Sequence, residues 1–142
     1  FLAGLTPALN KALESMQALE EGAIANVDEH RMVGHYWLRN PDLAPSADIA
    51  SEIKKTTADV ADFAQGVLGG RIQGANGPLE NAIFVGIGGS ALGPQFVANA
   101  LGSPEGYLRP FFLDNTDPDG VDRTLQRLGA GLDRTLVVVT SK

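Results

Sequence analysis

No cysteine occurs among the 142 residues, which removes disulfides, thiolate nucleophiles and cysteine-bound zinc from consideration. Aromatic residues make up only 6%, with a single tryptophan, and there are two histidines. Positive charge is scarce as well. Eleven Lys and Arg face 17 Asp and Glu for a formal charge of -6, and the pI is near 4.7. Nucleic-acid binding needs clustered basic residues, so no nucleic-acid partner is expected. The same charge repels a phosphate ester at long range. Any anion site must therefore be built from local donors, such as a helix N-terminus or one lysine. No apolar run approaches the roughly 20 residues that span a bilayer; the stretch between Thr135 and Thr140 is much shorter. The first residues lack the basic start and apolar core of a signal peptide. A cytoplasmic location without a membrane partner is the expectation.

What is present suits a chain with a core: 44% hydrophobic residues, a mean hydropathy of -0.01 and the length of one ordinary domain. The sequence opens at Phe1 without a methionine and closes at Thr140-Ser141-Lys142, directly after a strongly apolar strand. It reads as a fragment of a longer chain.

The hydrophobic period divides the sequence. Leu5, Leu9, Leu13, Met16 and Leu19 fall three or four apart, as on one helix face, and Gly22 ends the run. A second helix is predicted from about Asn26, which forms a capping-box-like pair with Glu29. Arg31, His35 and Arg39 would share one side of it, and Asn40-Pro41 would end it. A third helix is predicted from Ala47, with Ser46 as cap and Gly69-Gly70 as stop. Gly74-Ala75-Asn76-Gly77-Pro78 has the composition of a loop. It sets the expected boundary between an N-terminal helical segment, residues 1–73, and an α/β segment, residues 74–142.

Beyond it the period changes. Ile83-Phe84-Val85, Phe111-Phe112-Leu113 and Leu136-Val137-Val138-Val139 are wholly apolar strands, with helices expected over Ala91–Leu101 and Gly120–Leu128. Continuous apolar strands suit a sheet covered on both faces. The alternation implies an α/β fold with a parallel sheet and right-handed crossovers.

Gly86-Ile87-Gly88-Gly89-Ser90-Ala91-Leu92-Gly93 lies between the first strand and its helix. Open α/β sheets bind ligands beyond the carboxyl ends of their strands. Glycines let the backbone approach an anion closely, and the helix start offers unpaired N–H groups. Ser90 can cap the helix or donate its hydroxyl to a phosphate oxygen. Two other readings exist. The glycines can serve helix–sheet packing alone, or Gly86-x-Gly88-x-x-Ala91 can be a relaxed dinucleotide fingerprint, with Asp114 placed for a ribose. The third strand favours phosphate, because Thr140-Ser141-Lys142 sets hydroxyls and an ammonium at a carboxyl end of the same sheet.

Val85-Gly86-Ile87-Gly88-Gly89-Ser90-Ala91-Leu92-Gly93-Pro94, Phe112-Leu113-Asp114-Asn115-Thr116-Asp117-Pro118-Asp119-Gly120 and Val138-Val139-Thr140-Ser141-Lys142 together resemble the glucose-6-phosphate isomerase family. Asn26 to Arg39 is similar to the family's Asn-x-Thr-Glu-x-Arg segment, with Asp28 in place of Thr and Gly34 in place of an apolar residue. The resemblance implies an aldose–ketose isomerase of glycolysis and gluconeogenesis, built from sugar-isomerase (SIS-type, Rossmann-like) domains. It implies a homodimer that works on a sugar phosphate through a cis-enediol, with no cofactor. By this resemblance Gly89 and Ser90 contact the substrate, Ser141 opens the phosphate loop, and Lys142 contributes beside it. The family's catalytic Glu, ring-opening His and reaction-centre Arg and Lys have no match in these residues, so the 142-residue chain is expected to be inactive. A non-catalytic sugar-phosphate module of the same fold is the alternative, and a nicotinamide-dependent dehydrogenase a more distant one. An incomplete sheet with an open edge is expected to self-associate.

His30 and His35, five apart on the expected helix, would lie about 140° apart around its axis, which does not suit one metal. Asp114, Asp117, Asp119 and Asp122 lack the spacing and closing Glu of a calcium loop. Turn and cap roles are expected for them.

Overall fold

The computed structural model describes residues 2–102 and 107–141. Lys142, one of the expected phosphate-loop residues, lies outside the described residues. The chain divides into two compact units, Phe1–Ala61 and Asp62–Lys142.

In the first unit, α1 (Leu2–Glu20) follows the predicted helical period, and Gly22, at φ +97°, turns the chain after it. The expected second helix does not start at Asn26. Instead β1 (Ile24–Asn26) pairs antiparallel with β2 (Arg31–Met32), and the helix α2 is confined to His35–Arg39. The Asn26 side chain does accept from the Glu29 N–H, at 3.0 Å, but it closes a turn. An Asx oxygen satisfies the N–H of a tight turn as readily as that of a helix start, so the pattern alone is ambiguous. His30, at φ +54°, and His35 therefore sit on different elements, and the shared-helix argument about them does not apply. Arg31 likewise stands apart from His35 and Arg39, paired with Glu29 at 3.0 Å.

Trp37 is buried, and its indole N–H donates to the Glu20 carbonyl at 2.8 Å. This contact ties α2 to the end of α1. Asn40-Pro41 ends α2 as predicted, and α3 (Ala47–Leu68) begins with Ser46 Oγ accepting from the Ile49 N–H at 3.3 Å.

In the second unit α3 stops at Gly69-Gly70, with Gly70 at φ +74°. The expected loop is tighter than its composition suggests: β3 (Gln73–Gly74) and β4 (Gly77–Pro78) form a two-residue hairpin. The three apolar runs become β5 (Asn81–Val85), β6 (Arg109–Leu113) and β7 (Thr135–Val139), separated by α4 (Gly89–Leu101) and α5 (Pro118–Leu128). All three strands are parallel, in the order β6-β5-β7. The fold is α/β, as the alternation of elements predicts.

β5, the first of the three in sequence, is the central strand. Ala82 and Ile83 on it are buried, together with Ala91 of α4 and Leu128 of α5. The chain leaves β5 toward one side through α4 and returns past it through α5. Right-handed crossovers in opposite directions put those helices on opposite faces of the sheet, which is why β5 carries no polar face. Its one polar residue, Asn81, is buried at the amino end. There it accepts from Arg109 Nε (3.1 Å) and donates to the Gly131 carbonyl (3.3 Å), so β5 is fastened to β6 and to the segment leading into β7.

Candidate functional site

The strand register brings the two glycine- and hydroxyl-bearing loops to one edge. Val85 aligns with Leu113 on one side and Val139 on the other. Gly86 N–H donates to the Leu113 carbonyl at 3.1 Å, and Thr140 N–H donates to the Val85 carbonyl at 2.9 Å. The loop from Gly86 to Gly89 and the residues Thr140 and Ser141 thus leave neighbouring strands at the same level. Between β5 and β7 the strand order reverses direction, the place where open α/β sheets form a ligand crevice.

The start of α4 is bare. Gly88, at φ +61° and ψ -129°, precedes the helix, and no side chain caps it. The first bonds of the helix are those of Ala91 and Leu92 N–H to the Gly88 carbonyl, at 3.1 and 2.9 Å. The N–H groups of Gly89 and Ser90 come before them, at the positive end of the helix dipole. Gly89 is exposed, with open space where a Cβ would be, and Ser90 is half-buried. Ser90 is the second residue of the helix, so it does not occupy the cap position. Its hydroxyl remains as a donor. Ser141 is exposed two residues after β7.

Gly86 is buried, and a Cβ built on it would stand 2.8 Å from Ser90 Cβ. This glycine allows strand end and helix to touch, while Gly88 makes the turn. Packing and turning thus fall to different glycines of one loop.

Asp114, the first residue after β6, accepts a hydrogen bond on each carboxylate oxygen. Its Oδ2 accepts from Gln95 Nε2 at 3.0 Å and its Oδ1 from Asn115 Nδ2 at 2.8 Å. The Gln95 hydrogen bond holds the carboxyl below its ordinary value of 3.8; desolvation opposes this, and Asn115 adds to it. Asn115 Oδ1 accepts from Asp117 N–H at 2.9 Å, and Asp117 Oδ2 accepts from Gly120 N–H at 3.1 Å, which caps α5. Asp117 has the expected cap role. Among the described residues no group of three or more His, Cys, Asp or Glu is placed to hold a metal ion, and no helix is long and apolar enough to cross a membrane.

The family model of phosphoglucose isomerase matches residues 6–142. The chain belongs to the phosphoglucose isomerase family. It is 55% identical over 143 residues to the glucose-6-phosphate isomerase of Citrifermentans bemidjiense, covering 100% of this chain and 27% of that protein. Against the proteins of the same name from Desulfitobacterium hafniense and Geobacter sulfurreducens it is 52% and 54% identical, with the same coverage. The chain spans about a quarter of the length of the curated relatives it matches. In a chain of this family the glycine loop no longer needs the dinucleotide reading.

Sequence reasoning missed Gln95. Its partner Asp114 is 19 residues away, and no local spacing signals a bond between a helix and the end of a neighbouring strand. The signal that existed was weak: an amide side chain directly after Pro94, on a helix whose other polar residues are Ser90 and Asn99.

Proposed function

We propose that this chain is part of an aldose–ketose isomerase that interconverts glucose 6-phosphate and fructose 6-phosphate through a cis-enediol, without a cofactor. Its own share is to hold the substrate's phosphate. Gly89 and Ser90 offer backbone N–H groups and the Ser90 hydroxyl from α4, Ser141 stands two residues after β7, and the family resemblance adds Lys142 beside it. The proton transfer between C1 and C2 needs a base supplied from outside these residues. The domains follow the same reading: a helical segment over 1–73 and a sugar-isomerase α/β segment over 74–142. A cytoplasmic homodimer completes it.

The observation that carries this reading is the pairing of loops. An uncapped helix start and a hydroxyl-bearing strand end leave adjacent parallel strands at one level. The chain is also similar along its whole length to proteins named glucose-6-phosphate isomerase.

The test is made on the intact polypeptide that carries these residues. Interconversion of the two hexose phosphates, inhibited competitively by inorganic phosphate, is the expected result. Sugar-phosphate binding without turnover would reassign it as a non-catalytic module. Binding of NAD without sugar-phosphate binding would reassign it as a dehydrogenase.

A further inference from the structure

The first turn of α4 is poorly held by its own sequence. Gly86, Gly88, Gly89 and Gly93 surround it, and glycine loses the most backbone freedom on ordering. Its cap residue makes no side-chain hydrogen bond. Pro94 stands inside the helix and has no N–H to give the Ser90 carbonyl, so the ladder is interrupted at the residue proposed to bind the ligand. A turn with so little local support is positioned by what it is tied to.

Beside the packing of buried Ala91 and the contact of Gly86 with Ser90, one tie is the residue after the proline. Gln95 Nε2 donates to Asp114 Oδ2 at 3.0 Å. The acceptor is half-buried and is itself fixed: its other oxygen accepts from Asn115, which holds the turn leading to Asp117 and the start of α5. One continuous run of hydrogen bonds therefore links α4 to the α5 N-terminus across the carboxyl end of β6. A carboxylate acceptor makes the Gln95 bond charge-assisted and well directed. β6 flanks β5 on the side away from β7, so Asp114 stands beside the crevice and not in it.

We propose that Asp114 is a positioning residue: acting through Gln95, it holds α4 so that the N–H groups of Gly89 and Ser90 face the phosphoryl group. This rests on the phosphate-binding reading above. Loss of the tie lets the glycine-rich turn shift and weakens phosphate binding, while the chemistry, which lies elsewhere, is less affected.

The experiment uses the intact polypeptide and two probes, fructose 6-phosphate and inorganic phosphate. Asp114→Ala and Gln95→Ala are each expected to raise KM and the phosphate inhibition constant roughly three- to thirtyfold, the range for a residue acting through another, with the loss falling on KM and not on kcat. The exchange Gln95→Glu with Asp114→Asn rebuilds the bond with donor and acceptor reversed, and it is expected to recover most of the affinity. Asp114→Asn keeps an acceptor oxygen; it replaces the alanine variant if that one does not fold, and a smaller loss of the same sign is expected. Unchanged phosphate affinity in the Asp114 and Gln95 variants, with Ser90→Ala and Ser141→Ala weakened, would overturn the positioning role and leave the binding site standing. Unchanged affinity in the two serine variants would remove the site itself, and the positioning role with it.

Discussion

Gly86 and Ser90 meet backbone to backbone: a Cβ on Gly86 would lie 2.8 Å from Ser90 Cβ and 3.2 Å from the Ser90 carbonyl carbon. No rotamer of Ser90 relieves a clash with its own Cβ. Gly86→Ala must therefore push α4 away from the end of β5. The expected cost is about 1–3 kcal/mol, as for other overpacked sites, accompanied by weaker phosphate binding. Thermal denaturation and phosphate inhibition of the intact polypeptide measure the two effects. An alanine variant with unaltered stability would mean that strand and helix are not in contact.

Gly88 and Gly89 are neighbours with different constraints. Neither would bring a Cβ against other atoms, but Gly88 stands at φ +61°, in a region that side chains rarely adopt. Gly88→Ala is expected to cost about 1–3 kcal/mol through backbone strain alone. Gly89→Ala is expected to leave folding nearly unchanged and to lower phosphate affinity by crowding the anion. Equal melting temperatures for the two variants would contradict this division.

Asp117 caps α5 by accepting from Gly120 N–H, and Arg123 lies 3.6 Å from the same oxygen. Asp117→Ala is expected to destabilise by about 0.5–2 kcal/mol, while Asp117→Ser retains most of the cap. Denaturant unfolding of the three proteins checks the order. The exposed ion pair to Arg123 adds little, so Arg123→Ala should fall well below Asp117→Ala.

The carboxyl of Asp114 titrates below its ordinary value of 3.8 because Gln95 and Asn115 donate to its charged form. The folded state therefore binds this proton less readily than the unfolded chain does. The stability it contributes is fully present above pH 3.8 and is lost as the pH falls through the lower, folded value. The melting-temperature gap between the wild type and Asp114→Asn is expected to be constant near neutrality and to close on acidification. A gap that widened in acid would reverse the sign of the argument.

Much of this fold was legible in local pattern. The apolar runs at Ile83, Phe111 and Leu136 became strands, Ser46 became the cap of α3, and Gly69-Gly70 ended it. Where one pattern serves two structures, reading failed. Asn26 and Glu29 form the same side chain–backbone bond in a turn as at a helix start, and only the pairing of Ile24 with Met32 separates them. The glycine loop was legible as the turn from strand to helix, but not the division of packing and turning among its glycines.

Residue types and their spacing determined the long helices and the three parallel strands, and they carried the family resemblance, because both are properties of contiguous sequence. Tertiary structure alone decided that β5 is central, that the loops after β5 and β7 leave side by side, and that Gln95 reaches Asp114. Those relations join residues far apart in the chain, where the choice is set by which surfaces can be buried together and not by any local preference.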